Sequence, residues 1–213
     1  MSNEREPETP VGEGEMATDV ALVLANLTAF YDFRDKATVH VGAGGGQFVG
    51  YAAHARHVVA VDRDPVAVGN LQMAIAAMGL GARFTVRQEP FESVADRGDV
   101  VFFEFCLHEM NDPDAVLRHA RPLAPETLVI DHAPDSRWAW YTAETDRTAR
   151  RWAAVERARI RRERRFAGLQ RFPDGEALLQ KVQSLGEPAV SRARAHVGPA
   201  PIEIAVTYRV ALV

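Results

Sequence analysis

The stretch Val41-Gly42-Ala43-Gly44-Gly45-Gly46-Gln47 follows a short β-rich run, Thr38-Val39-His40-Val41, and leads into a segment from Gln47 to Ala55 that reads as a helix. Glycine at such a junction lets the backbone turn sharply and approach a bound molecule closely. Strand, glycine turn and helix in this order open a parallel α/β unit. The pattern continues outward. His57-Val58-Val59-Ala60-Val61-Asp62 reads as a second strand ending in an acid. Asp64-Pro65 starts a helix, because Asp caps free N–H groups and Pro suits the first turn. That helix is expected to run to Met78 and to stop at Gly79 and Gly81. Arg83 to Arg87 reads as a third strand and Val100 to Phe105 as a fourth, apolar enough to be covered on both faces. Asp112-Pro113 repeats the helix start, with the helix running to Leu123, and Leu128 to Asp131 is the fifth strand. Upstream, the apolar run from Ala17 to Phe33 reads as a helix leaning on the domain.

After the fifth strand the alternation stops. Trp138 to Phe166 carries no strand signal and reads as one or two helices. Asp174 caps a helix to Leu185, ended by Gly186. Ala189 to Val197 and Ile202 to Val213 read as two closing strands, separated by Gly198-Pro199-Ala200-Pro201. No crossover helix fits that gap, so the pair should be antiparallel. The expected fold is α/β: a seven-stranded, mostly parallel sheet with an antiparallel C-terminal strand and a helical cap over 134–172. Residues 1–15, with five Glu, one Arg and two Pro, read as a flexible acidic tail, and 16–213 as one domain.

Composition narrows the function. With 213 residues, 47% hydrophobic and 25% charged, the chain can bury a core without staples. Its single cysteine, Cys106, excludes an internal disulfide and a Cys-rich zinc site. The net charge of −4 is unlike that of a protein devoted to nucleic acid. The acidic start lacks the apolar stretch of a signal peptide. No run of about 18 apolar residues suggests a membrane span. The expected location is cytoplasmic.

The glycines at 42, 44 and 46 depart from the dinucleotide pattern G-x-G-x-x-G/A, whose last position allows close helix packing; here that position is Gln47. Asp62 lies 16 residues after Gly46, at a strand end where an acid accepts hydrogen bonds from ribose hydroxyls; Asp64 already supplies the helix cap. At these residues the sequence resembles the class I S-adenosylmethionine (SAM) dependent methyltransferases. Further matches are Glu89-Pro90-Phe91 after the third strand, Asp99-Val100-Val101 leading to Leu107-His108 after the fourth, and the closing antiparallel strands. The resemblance spans about residues 17–213 and implies a Rossmann-like methyltransferase sheet. It implies that the turn at Gly42, Ala43, Gly44 and Gly46 passes the methionine part of S-adenosyl-L-methionine, and later of the product S-adenosyl-L-homocysteine, with its backbone. Asp62 would hold the ribose and Arg63 would pack near the adenine edge. Glu89 would face the adenine amino group, with Pro90 and Phe91 bordering the ring. His40 stands where the family carries an acid that helps receive the cofactor's ammonium; Glu104 is the candidate to compensate.

Strand ends line the ligand crevice of an open α/β sheet, which brings Glu104, Cys106 and His108 near the reacting methyl and Asp131-His132 toward the same crevice. Two chemistries compete. In direct displacement the protein mainly aligns the reactants, and His108 or His132 serves as base if the acceptor must lose a proton. In the alternative, Glu104, Asp131 and His132 hold a divalent metal that acidifies an acceptor hydroxyl, as in the catechol-type O-methyltransferases that these strand ends resemble. Cys106 reads as a small buried apolar group. Trp138, Trp140 and Tyr141 either roof an acceptor pocket or pack in the core. Residues 147–165 hold nine Arg against Glu156 and Glu163. Such a segment would draw an anionic acceptor or RNA, or else form a solvated helix that pairs with the acidic remainder, which is the favoured reading. The expected function is methyl transfer to a small-molecule acceptor, without nucleic acid or membrane partners and with a homodimer allowed for. The rivals are an NAD-dependent oxidoreductase and a non-catalytic SAM-fold binding protein.

Overall fold

A computed structural model describes residues 17–213; the acidic stretch read as a tail lies outside the described residues. The short strand β1 (Ala17–Thr18) leads into α1 (Val20–Phe30), where the Asp19 carboxylate accepts from the Leu22 N–H at 2.9 Å. The alternation read from the sequence then follows. It comprises β2 (Ala37–Val41), β3 (His57–Asp62), α2 (Pro65–Ala77), β4 (Phe84–Gln88), β5 (Val100–Glu104), α3 (Pro113–Ala120) and β6 (Glu126–His132). Asp64 and Asp112 cap α2 and α3 through their side chains, with Pro in the first turn of each. The segment after the glycine turn forms a 3-10 helix, Val49–His54, rather than an α-helix.

The sheet order is β1-β7-β8-β6-β5-β2-β3-β4. Strands β2 to β6 are mutually parallel, whereas β8 (Ile202–Leu212) runs antiparallel to β6 and β7 (Arg162–Phe172) antiparallel to β8. Seven long strands and one two-residue edge strand thus make a mostly parallel sheet with an antiparallel end.

Two expectations are corrected. The helices after β6 are α4 (Arg137–Tyr141) and α5 (Thr145–Arg157), and the rest of the expected helical cap, from Arg162, is the long strand β7. The closing pair is therefore β7 with β8. Ala189 to Val197 is not a strand: α6 (Gly175–Val182) is followed by α7 (Glu187–Arg194). Pro188 lies in the first turn of α7, and Ala189, Val190 and Ala193 point inward at helical spacing.

Alternate residues of the strands feed two cores. Val58, Ala60, Phe102, Leu128 and Ile130 meet Leu27 and Phe30 of α1, Tyr51, Leu71 of α2, and Leu178 of α6. Val39, Val41, Val59, Val101, Phe103 and Val129 meet Phe91, Val116 and Leu117 of α3, and Trp152 and Val155 of α5. Each large side chain so enclosed contributes about 1.5–3 kcal/mol relative to exposure. Burial on both faces holds the carboxyl ends of β2, β3 and β5 rigid, and the candidate site is built on those ends.

Candidate active site

The turn after β2 uses positive φ at Gly42 (+70°), Gly44 (+50°) and Gly46 (+80°). A side chain at Gly42 would overlap Cys106, and one at Gly46 would come within 2.8 Å of the Ala74 Cβ on α2. Gly44 instead faces open space, its nearest neighbour being the Gly42 carbonyl oxygen at 3.8 Å. Two glycines are thus required for packing, and the third exposes backbone. The Gly44 N–H donates to one carboxylate oxygen of Asp62 (3.0 Å), and the Asp64 N–H donates to the other (3.0 Å). Asp62 ties the turn to the end of β3 and keeps lone pairs for a ligand.

A cleft of about 480 Å³ lies over this turn. Of the residues predicted from sequence, Gly42, Gly44, Asp62, Arg63, Glu89, Pro90, Phe91 and Glu104 line it. Ala43 and Gly46 do not; both are buried and shape the turn from behind. His40 is fully buried, stacked on Phe102 with ring centroids 4.8 Å apart. Its Nε2 lies 2.7 Å from Glu104 Oε2, so it reaches the cleft only through that carboxylate. Burial pushes the Glu104 carboxyl above its ordinary pKa, and His40 partly opposes the shift. Cys106 lines the cleft, donates to the Val41 carbonyl at 3.3 Å, and has its thiol pKa raised by burial and by the carboxylates around it. It is therefore a thiol at neutral pH, as the apolar reading requires.

His108 and His132 do not line the cleft. His108 Nδ1 lies 2.8 Å from Asp131 Oδ1, its backbone N–H donates to Asp131 Oδ2 (3.2 Å), and Nε2 faces Glu144 Oε2 at 3.7 Å. Burial disfavours the charged ring, but Asp131, Glu144 and Glu109 outweigh it and raise the pKa to about 9. Through these bonds His108 fastens the loop after β5 onto β6, set back from the cleft. His132 shifts the other way. Burial lowers its pKa to about 4, and its Nδ1 has no hydrogen-bond partner. Glu104, Asp131 and His132 are not gathered around one point, and no cluster of three such side chains suited to a cation occurs among the described residues.

The aromatic trio after β6 packs rather than roofs. Trp138 is buried against Phe172, Tyr141 bonds His196 Nε2 at 2.6 Å, and Trp140 lies between the guanidinium groups of Arg137 and Arg192. Sequence reasoning missed Glu109, Met110, Asn111 and Lys181, which also line the cleft. The first three sit in the loop after β5, where position alone could have flagged them. Lys181 arrives from α6, about 140 residues beyond the turn, and carries no local signal. Phe105 lines the cleft at φ +41°, a left-handed conformation that bulky residues adopt only under constraint.

Residues 39–129 match the family model described as a methyltransferase domain. Solved structures share the whole architecture at low identity. One is the YcgJ protein from Bacillus subtilis (13% identity, 90% of this chain and 98% of that one, TM-score 0.64). Another is magnesium protoporphyrin IX methyltransferase from Synechocystis PCC 6803 with bound S-adenosylhomocysteine (15%, 90% and 80%, TM-score 0.53). A third is the [4+2]-cyclase SpnF (13%, 90% and 79%, TM-score 0.61). No curated protein matched the sequence. The fold is that of the class I SAM-dependent methyltransferases. The residues that match the family model run from within β2 to within β6. No helix among the described residues is long and apolar enough to cross a membrane.

Proposed function

We propose that this protein binds S-adenosyl-L-methionine in the cleft over the glycine turn and transfers its methyl group to a small-molecule acceptor by direct displacement. The observation that carries the reading is the convergence of the open Gly44 backbone, the Asp62 carboxylate, and Glu89 with Phe91 on one cleft. Backbone free of side chains suits a polar ligand in close contact, and a carboxylate at the end of the neighbouring strand suits a sugar diol. In this reading Gly42 and Gly44 pass the amino-acid part, Asp62 holds the ribose, Arg63 and Phe91 border the adenine, and Glu89 faces its amino group. The bound cofactor supplies an electrophilic methyl carbon, whose bond to sulfur breaks as an acceptor lone pair bonds to it.

The chain's own contribution is alignment. The His108–Asp131 latch fixes the loop that carries Cys106, Glu109 and Met110 beside the cleft. Displacement of this kind needs correct approach more than proton transfer. The neutral ring of His132 is the one predicted histidine able to accept a proton, although it stands back from the cleft. The volume supports a cofactor with a small acceptor beside it, since sites for such ligands measure roughly 300–1,000 Å³.

Calorimetric titration with SAM, S-adenosylhomocysteine and NAD(H) tests the reading. Binding of the first two with none of the third is expected; NAD binding without SAM binding would overturn it. The acceptor is then sought by transfer of a labelled methyl group to candidate small molecules.

A further inference from the structure

The cleft contains one acid unlike its others. Glu104 is the last residue of β5, and at 8% exposure it is the most buried carboxylate in the lining. It is not spent on the chain's own backbone donors, as Asp62 is. Beneath it lies the wholly enclosed ring of His40, with Nε2 2.7 Å from Glu104 Oε2. Strands β2 and β5 are neighbours in register, His40 opposite Phe102, so Glu104 stands two residues beyond His40 and beside the glycine turn. The Glu104 backbone carbonyl would lie 3.2 Å from a Cβ at Gly42, which places the strand end against the turn itself. A carboxylate this enclosed is costly unless positive groups and donors meet it, and one imidazole contact leaves most of its lone pairs unmet. A ligand ammonium, compact and rich in donors, satisfies such an oxygen pair.

Resting on the proposed cofactor reading, we infer that Glu104 receives the α-ammonium of the cofactor's amino-acid end and that His40 is a positioning residue, holding that carboxylate in place from inside the sheet. The charge that grips the ammonium is then carried on β5, and the neighbouring strand β2 supplies the support. The buried His40 and its contact with Phe102 and Tyr51 make that support rigid.

Three ligands separate the possibilities: SAM, S-adenosylhomocysteine, which keeps the ammonium but lacks the sulfonium charge, and 5′-methylthioadenosine, which lacks the amino-acid end. For Glu104→Gln, isothermal titration should show SAM and S-adenosylhomocysteine weakened alike by about 10- to 100-fold, the loss expected for a charged hydrogen bond, with methylthioadenosine changed by less than about 2-fold. His40→Gln should weaken the same two ligands by a smaller factor and spare the third, a selectivity that general loosening of the fold would not give. The inference is overturned if Glu104→Gln leaves all three unchanged, weakens all three equally, or weakens SAM alone, which would point the carboxylate at the sulfonium. Failure of the unaltered protein to bind either SAM or S-adenosylhomocysteine overturns the functional reading itself, and this inference with it.

Discussion

His108 and His132 have ring centroids 6.1 Å apart and opposite protonation preferences. Their pH signatures can be worked out. His108 has a folded pKa near 9 against an ordinary 6.5, so its contribution to stability is complete below about pH 6.5 and is lost as pH rises through 9. His132 has a folded pKa near 4, so its contribution is complete above about pH 6.5 and is lost as pH falls through 4. Thermal stability should peak near pH 6.5. His108→Gln should flatten the alkaline limb, worth on the order of 3 kcal/mol, and His132→Gln part of the acid limb. Melting scans from pH 4 to 10 check both; an unchanged alkaline limb in His108→Gln would contradict the assignment. The glycines make a second prediction. Gly42→Ala combines positive φ with overlap against Cys106 and should destabilise by about 3 kcal/mol. Gly44→Ala has space around it and should cost only about 1–2 kcal/mol, yet impair SAM binding more than its stability loss explains. Denaturant melts paired with titrations separate the two effects.

At the scale of elements, the Arg-rich segment shows how charge is organised. It is no single solvated helix: six of its arginines lie on α5 or in the connection after it, and three lie on β7. Arg157 pairs with Asp114 of α3 at 2.6 Å, Arg165 with Asp135 at 2.5 Å, and Arg162 covers the Phe30 ring. Pairing with the acidic remainder, as expected from the sequence, occupies these groups. Arg209 of β8 ties the elements together. It bonds Glu163 of β7 (2.6 Å) and Glu156 of α5 (3.2 Å) and lies over the Trp152 ring at 4.0 Å. Arg209→Ala should destabilise by about 1–3 kcal/mol in urea titrations, more than loss of any exposed pair, because its side chain is largely shielded. The two misread elements fail for physical reasons. Arg162-Glu163-Arg164-Arg165 has no apolar period, since that half of β7 is exposed, and its pairing partner β8 lies some forty residues away. Ala189 to Val197 alternates like a strand, but its alanines and arginines favour helix and its buried residues follow helical spacing.

For the whole molecule, a ligand that binds only the folded state stabilises it by mass action, about 2.7 kcal/mol at one hundred times its dissociation constant. For a chain of this size that corresponds to a rise in melting temperature of roughly 5–10 °C with saturating SAM or S-adenosylhomocysteine. No shift with either would argue against the cofactor reading. The paired arginines also lead to an expectation of no salt-sensitive RNA binding; a steep salt slope in a gel-shift assay would contradict it.

The sequence alone determined that β2 to β6 belong to a parallel alternation of strands and helices, because the glycine turn follows the first of them and Asp64-Pro65 and Asp112-Pro113 start the helices after the second and fourth. It also determined the cleft's near wall, Gly42, Gly44, Asp62 and Glu89 to Phe91, since those residues sit at strand ends whatever packs elsewhere. Tertiary structure decided what local pattern cannot carry. It made a charged segment into a strand by pairing it with β8, and it set His40 beneath Glu104. By surrounding one histidine with carboxylates and burying the other against Phe105 with its Nδ1 unpaired, it also gave the two opposite protonation preferences. Charge state and strand partnership depend on neighbours distant in the chain, so they emerge only when the chain is folded.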